Sequence, residues 1–327
     1  MKGFSNRFAD FPDYIIGITK EIWEDRGIAT LREYYAPDII VRSPGSVVTG
    51  NLGVINATMA TLAEFPDRQL LGEDVIWSGS PEDGMLSSHR ILSTATHSGD
   101  GVYGAATGKT LTYRILADCH ARDNVIDDEW LIRDQGAIVR QLGWTPEAYA
   151  RNLIEREGGP DAAVAPMSPA TDIPGPYTGR GNDNEWGARL ADLVTRIMGA
   201  DMAAIPRSFD RAAHLSYPGH ETGHGWDAAD RFWMGLRAAF PSALFTVHHQ
   251  IGREDPTMSP RAALRWSLHG RHDGWGAFGA PTGADVFVLG ITHAEFGTLG
   301  AAEPTLRREW TLYDETAIWK QIALHRG

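Results

Sequence analysis

The feature that most constrains this chain is that it says the same thing twice. A segment THSGDGVYGAATGK starts at Thr96, and a segment RHDGWGAFGAPTGA starts at Arg271. His97 and Gly108 stand eleven positions apart, as do His272 and Gly283. Further on, DEWLIRDQGAIVRQLG from Asp128 is answered by REWTLYDETAIWKQIA from Arg308, with Trp130 four residues before Asp134 and Trp310 four before Asp314. Upstream, Pro44-Gly45 and Pro218-Gly219 each precede a helical stretch that ends in Phe-Pro, at Phe65-Pro66 and Phe240-Pro241. A repeat this long means two copies of one folding unit, so the problem reduces to the fold of about half of the 327 residues. One block differs: Gly108 to Asp134 is 26 residues and Gly283 to Asp314 is 31, which places the extra residues in a hairpin turn at FGTLGAAEPT.

Each half reads as helices followed by strands. Phe11, Tyr14, Ile15, Ile18, Ile22 and Trp23 recur at helical spacing, as do Trp186, Leu190, Leu193, Val194 and Ile197. A short second helix (Leu31 to Tyr35; Met202 to Phe209), a Pro-Gly turn and a third helix (Leu52 to Phe65; Asp227 to Phe240) follow. Four strand-like runs then close each copy, at 73–77, 85–96, 111–122 and 125–133, and at 244–251, 262–268, 286–296 and 306–313. The expected fold class is α+β: two tandem cone-shaped domains, each a curved antiparallel sheet with three helices enclosing a cavity. The expected division is 1–150 for the first domain, 151–180 for a Gly/Pro/Ala-rich linker and 181–327 for the second.

Composition narrows the partners. A formal charge of -12 with no basic stripe argues against nucleic acid. Cys119 is the one cysteine, which excludes an internal disulfide and a multi-cysteine zinc site. The opening residues lack the apolar core of a signal peptide, and no apolar run reaches about 18 residues, so the expectation is a soluble, cytoplasmic protein with no membrane partner.

The His-x-Gly segment, the Thr-Gly turn, the hairpin and the Trp-x-x-x-Asp strand resemble the SnoaL-like polyketide cyclase family of the nuclear transport factor two-like superfamily, in tandem. The resemblance implies that an Asp near the end of the last long strand and a His on the neighbouring strand face the cavity as acid and base, without metal or organic cofactor. The matching residues are Asp134 and His120 in the first copy; in the second they are Asp314 with His293, or with Glu295 if the longer hairpin shifts the alignment by two. Family members pair through their open sheet faces, which implies an intrachain pseudo-dimer here and leaves a further homo-oligomer open.

Strand periodicity puts Asp118 and His120 on one row and Asp128, Trp130 and Asp134 on the next, so Asp118, Asp128 and Trp130 join the first candidate site as substrate-binding residues. Trp310, Glu295 and Arg308 play that part in the second. His97 and His272 read as supports for the Gly-rich turn. No metal site is expected: His220 and His224 have helical ligand spacing, yet the glycines around them argue for a loop. The two cavities should differ, with the first the better site for chemistry, because Arg308 replaces the acid Asp128. The function expected is cofactor-independent acid/base catalysis on a hydrophobic carbonyl or ester compound (aldol-type cyclisation, isomerisation or dehydration). The rival is a non-catalytic small-molecule-binding or scaffold protein of the same fold.

Overall fold

A computed structural model describes residues 1–297 and 303–326. The first copy runs α1 (Phe11–Thr19), a π-helical turn (Lys20–Glu24), a single 3₁₀ turn (Ile28–Thr30), α2 (Leu31–Tyr34), β1 (Tyr35–Ser43), β2 (Ser46–Thr49), α3 (Asn51–Glu64), β3 (Gln69–Ser80), β4 (Gly84–Thr96), β5 (Thr110–Arg122), β6 (Val125–Arg133), α4 (Gln135–Leu142) and α5 (Pro146–Arg156). The second runs α6 (Glu185–Met198), α7 (Ala204–Ser208), β7 (Phe209–Tyr217), β8 (Glu221–His224), α8 (Gly225–Ala239), β9 (Leu244–Arg253), β10 (Arg261–Arg271), β11 (Asp285–Gly297), β12 (Thr305–Tyr313) and α9 (Glu315–Arg326). The sheet orders are β2-β1-β6-β5-β4-β3 and β8-β7-β12-β11-β10-β9, the same six-stranded sheet twice.

Three details differ from the sequence expectation. The Pro-Gly turns are the tips of short hairpins, β1–β2 and β7–β8, whose strands were not foreseen. Each sheet is mixed, because β1 lies parallel to β6 and β7 parallel to β12. Helices also close each copy at its C-terminal end: α4 and α5 in the first, α9 in the second. The extra hairpin residues fall at 298–302, outside the described residues.

His97 holds the loop between β4 and β5, and His272 the equivalent loop between β10 and β11. The His97 amide donates to the Lys109 carbonyl and its own carbonyl accepts from Thr107 and Gly108, and His272 repeats this with Ala284, Thr282 and Gly283. Glu64, buried at the end of α3, accepts from the amides of Val102 and Tyr103 and pairs with the His97 ring. Each sheet has one face on its own helices and the other on the opposite copy. Between the copies Leu116, Ile132 and Met167 pack with Phe287, Leu289, Ile291 and Leu312, and Ile76 and Leu86 pack with Ile251 and Ala263.

The segment between α5 and α6 has almost no regular structure but is tied down. Met167 donates its amide to Pro44, Asp172 pairs with Arg42, and Arg180 and Asn182 bond the backbone of Gln250 on edge strand β9. Tyr177 reaches the centre, where its hydroxyl meets His249 Nε2 at 2.7 Å and its ring lies 4.7 Å from that of His120.

Candidate functional site

A cavity of about 460 Å³ lies inside the first copy. Its wall is mostly apolar: Ile15 and Ile18 of α1, Val54 of α3, Leu70, Ile91, Ile115 and Leu131 of the sheet. Helical periodicity and strand alternation both select these residues, because the cone needs one apolar stripe per helix and one apolar row per strand. Two walls come from further along the chain. Tyr149 and Leu153 of α5 and Glu157 just after it line it, and so do Asp314, just before α9, and Thr316, Ala317 and Lys320 from the first turns of α9 in the second copy. Lys320 Nζ and Glu157 Oε2 meet at 2.6 Å across that joint.

The polar groups in the wall sit in ordered rows. Ser87, Cys119 and Glu129 are Cα partners across β4, β5 and β6; His89, Ala117 and Leu131 form the next row, and Ile91, Ile115 and Arg133 the one after. Burial pushes the Glu129 carboxyl up to about 7, although Tyr35 and Cys119 hydrogen-bond it and pull the other way. Burial pushes His89 down to about 4, so its imidazole is neutral at pH 7. Its Nδ1 lies 3.2 Å from Ser87 Oγ. A carboxyl poised near neutrality in an apolar chamber can take a proton from a carbon acid and give it back.

The residues proposed from sequence lie elsewhere, with one exception. The row assignments hold: Asp118 pairs with Trp130 and His120 with Asp128 across β5 and β6. The row, however, is the one facing the other copy. Asp118 Oδ2 takes a hydrogen bond from Arg265 at 3.0 Å, and Asp128 accepts from Arg42 and from the Tyr177 amide. His120 Nδ1 lies 2.6 Å from Asp127. Trp130 carries the Arg265 guanidinium 3.5 Å above its ring, and Trp310 carries Arg90 at 3.5 Å. These contacts are one contact made twice, since Arg90 and Arg265, like Trp130 and Trp310, are equivalent in the repeat. Asp134 caps α4 by accepting from Ala137 and also accepts from the amides of Gly219 and His220 in the second copy.

In the second copy, register settles the earlier ambiguity. His293 pairs with Trp310 and Glu295 with Arg308, so Glu295 is the equivalent of His120 and His293 that of Asp118. His293 is buried at the junction, 2.8 Å from Ser88 Oγ, and burial beside Arg90 keeps it neutral. Arg308 and Glu295 pair with each other at 3.2 Å near the surface. Asp314 is the exception: it lines the first cavity while capping α9 through the Thr316 and Ala317 amides, and burial raises it to about 6. His220 has φ 60 in the β7–β8 turn and His224 ends β8, so the pair is not on a helix. Among the described residues no group of three or more His, Cys, Asp or Glu side chains is placed to hold a metal ion. None of the described helices is long and apolar enough to cross a membrane.

The second cone is filled. The row Ile91–Ile115–Arg133 becomes Trp266–Gly290–Tyr313. On the third helix Ala57 and Thr58 become Phe232 and Trp233, and Ser43 becomes Tyr217. Tyr217 stacks on Phe232 with centroids 3.7 Å apart, and Trp233 and Trp266 lie 6.0 Å apart. Glu309, equivalent to Glu129, is buried there with Tyr217 and Thr311 hydroxyls bonded to it.

Residues 14–142 match the family model described as SnoaL-like polyketide cyclase. Solved structures similar to this chain include wild-type IdmH from Streptomyces antibioticus, described as a candidate polyketide cyclase (26% identity, 41% of this chain and 98% of that one, TM-score 0.36). A candidate polyketide cyclase from Acidithiobacillus ferrooxidans is also similar (21%, 40% and 92%, TM-score 0.35). So is a nuclear transport factor 2-like superfamily protein from Salmonella enterica serovar Typhimurium (10%, 40% and 89%, TM-score 0.32). No curated protein matches the sequence.

Proposed function

We propose, from the premise that this chain carries a SnoaL-like polyketide cyclase domain and a second copy of its fold, that the first copy is an acid/base enzyme acting on a hydrophobic carbonyl or ester compound without a cofactor. The observation that carries this reading is Glu129, raised to about 7 in the wall of a mostly apolar chamber. As carboxylate it removes a proton next to a carbonyl; as carboxylic acid it returns the proton to the same molecule at another atom. The Tyr35 phenol, hydrogen-bonded to it, orients the carboxyl. The neutral His89 offers a hydrogen bond without adding charge. Cyclisation, isomerisation and dehydration all share this proton transfer.

Asp134 and His293, acid/base candidates from the resemblance, are assigned to joining the copies, His120 to a pair with Asp127 beside Tyr177 of the connecting segment, and Asp314 to the rim of the chamber. That reassignment also favours the rival reading, a small-molecule binder without turnover, because the implied acid/base pair is committed to structure. Deuterium exchange separates the two. Long-chain ketones, methyl esters and 4-oxo carboxylates are incubated in D₂O with the protein, and exchange next to the carbonyl is followed by mass spectrometry. The enzyme reading expects catalysed exchange that falls by about 10²-fold or more in Glu129→Gln while ligand binding persists. Binding without exchange in the parent protein would favour the binder.

A further inference from the structure

The chamber contains two guanidinium groups that the proton chemistry does not use. Arg68, in the turn just before β3, is 6% exposed and lines the cavity, and its Nε is buried with no hydrogen-bond partner. Arg133, at the end of β6, also lines the cavity with a buried, unpartnered Nε. Among the described residues neither is in ion-pair contact with a carboxylate; their hydrogen-bond partners are phenols, Tyr113 for Arg68 and Tyr103 for Arg133, with Asp314 a more distant charge that favours the Arg133 cation. The two nearby acids are otherwise engaged, Glu64 with the Val102 and Tyr103 amides and His97, and Asp314 with the first turn of α9. Burying the Arg68 guanidinium without an ion-paired carboxylate is costly, and the half-buried Arg133 beside it adds a like charge that Asp314 offsets only from a distance, so a further anion in the chamber would repay the pair.

The duplicate acts as an internal control. Arg68 and its counterpart Ala243 sit in the same local turn, each donating its amide three residues back, to Phe65 and Phe240. Arg133 is replaced by Tyr313. Where the cone is filled with aromatic rings both cations are gone, and where the cone is open both are present. The cations therefore belong with the contents of the cavity rather than with the fold.

We infer that the ligand of the first cavity is an amphipathic carboxylate, its apolar body against the sheet rows and its carboxylate held by Arg68 and Arg133. Paired guanidinium donors match two carboxylate oxygens in plane, and the mostly apolar wall strengthens the bonds. Tyr113 fits the same picture: burial would raise its phenol, yet Arg68 and Arg133 bring it below the usual range. This deepens the proposed function by naming a substrate class, a carbonyl compound that also bears a carboxylate, and rests on that reading for the word substrate alone.

The test is calorimetric titration of the full chain with decanoate and decyl phosphate below their micellar concentrations and decanol below its solubility limit. Decanoate is expected to bind at least about tenfold more tightly than decanol, the size of a charge-assisted bond, and to lose that advantage in Arg133→Gln and in Arg68→Gln. Near-ultraviolet circular dichroism checks the fold of both variants; if one fails to fold, the other decides. Equal affinity for decanol and decanoate, or a decanoate advantage that survives both substitutions, would overturn the inference, and so would tighter binding of decyl phosphate than of decanoate. Selective decanoate binding without any deuterium exchange would leave the anion site standing and remove the enzyme reading; exchange without carboxylate preference would do the reverse.

Discussion

Trp266 fills the space that Gly290 leaves open on the next strand: a Cβ at position 290 would lie 2.1 Å from Trp266 Cζ2. The two are Cα partners in the β10–β11 ladder, so the missing side chain of one is the room for the other. Gly290→Ala should therefore destabilise the protein by about 1–3 kcal/mol through overpacking, against the usual gain from replacing glycine in a strand. Thermal and urea unfolding measure it. A neutral or stabilising substitution would mean that the second cone has slack.

The reciprocal experiment fills the first cone. Thr58→Trp installs in α3 the ring that Trp233 provides in α8, in a wall position where the parent has a hydroxyl bonded to Trp23 Nε1 at 3.2 Å. Decanoate binding should disappear in titration calorimetry while the cooperative unfolding transition remains. Retained binding would place the ligand outside this chamber.

Glu129 makes a pH-dependent contribution with a definite sign. Its folded value near 7 lies above the ordinary 4.5, so between those values the folded state holds the proton more tightly than the unfolded state. Stability from this group is thus highest below about 4.5, falls as pH rises, and reaches its low plateau above about 7. Glu129→Gln should gain on the order of 2 kcal/mol at pH 8 relative to its difference from the parent at pH 4.5, measured by urea unfolding at both values. A pH-independent difference would mean that the carboxyl titrates normally.

Asp134 and Arg265 predict losses of stability rather than of chemistry. Asp134→Asn weakens bonds to three amides, two of them in the other copy, and should lower the melting temperature while leaving exchange per folded molecule within about threefold of the parent, well short of the loss expected for a general acid or base. Arg265→Met strands Asp118 without a cation and should cost about 3–5 kcal/mol, largely recovered in the Arg265→Met, Asp118→Leu double variant. Failure of the second change to rescue the first would show that the stack on Trp130, and not the ion pair, is what Arg265 contributes.

The repeat, the helix-then-strand order and the side-chain rows could all be read from the sequence, because spacing records them directly. Which row faces the cavity could not. Alternation identifies a buried face by contrast with a polar one, and here both faces of β5 are covered, one by the chamber and one by the opposite copy, so its residues from Ile115 to Ala121 are all buried. Asp118, His120 and Asp128 were therefore placed one face too far. Glu129 was passed over beside Asp128 and Trp130, although one signal was available: Glu309 repeats it, whereas Asp128 gives way to Arg308. The hairpin strands β1 and β2 escaped notice because their Pro-Gly tip reads as a turn alone.

Helix α9 and its capping residue Asp314 supply Asp314, Thr316, Ala317 and Lys320 to a chamber that belongs to the other copy. In a symmetric homodimer such a helix is encoded once and used twice, so any change that improves one chamber's wall is imposed on both, and neither cone can be given up for packing. Joining the copies end to end removes that constraint. One half is free to become solid, spending its interior on tryptophan and phenylalanine, and to serve its neighbour only from outside. The unequal interiors of this chain are a form of specialisation open to a covalent pair and closed to a pair of identical subunits.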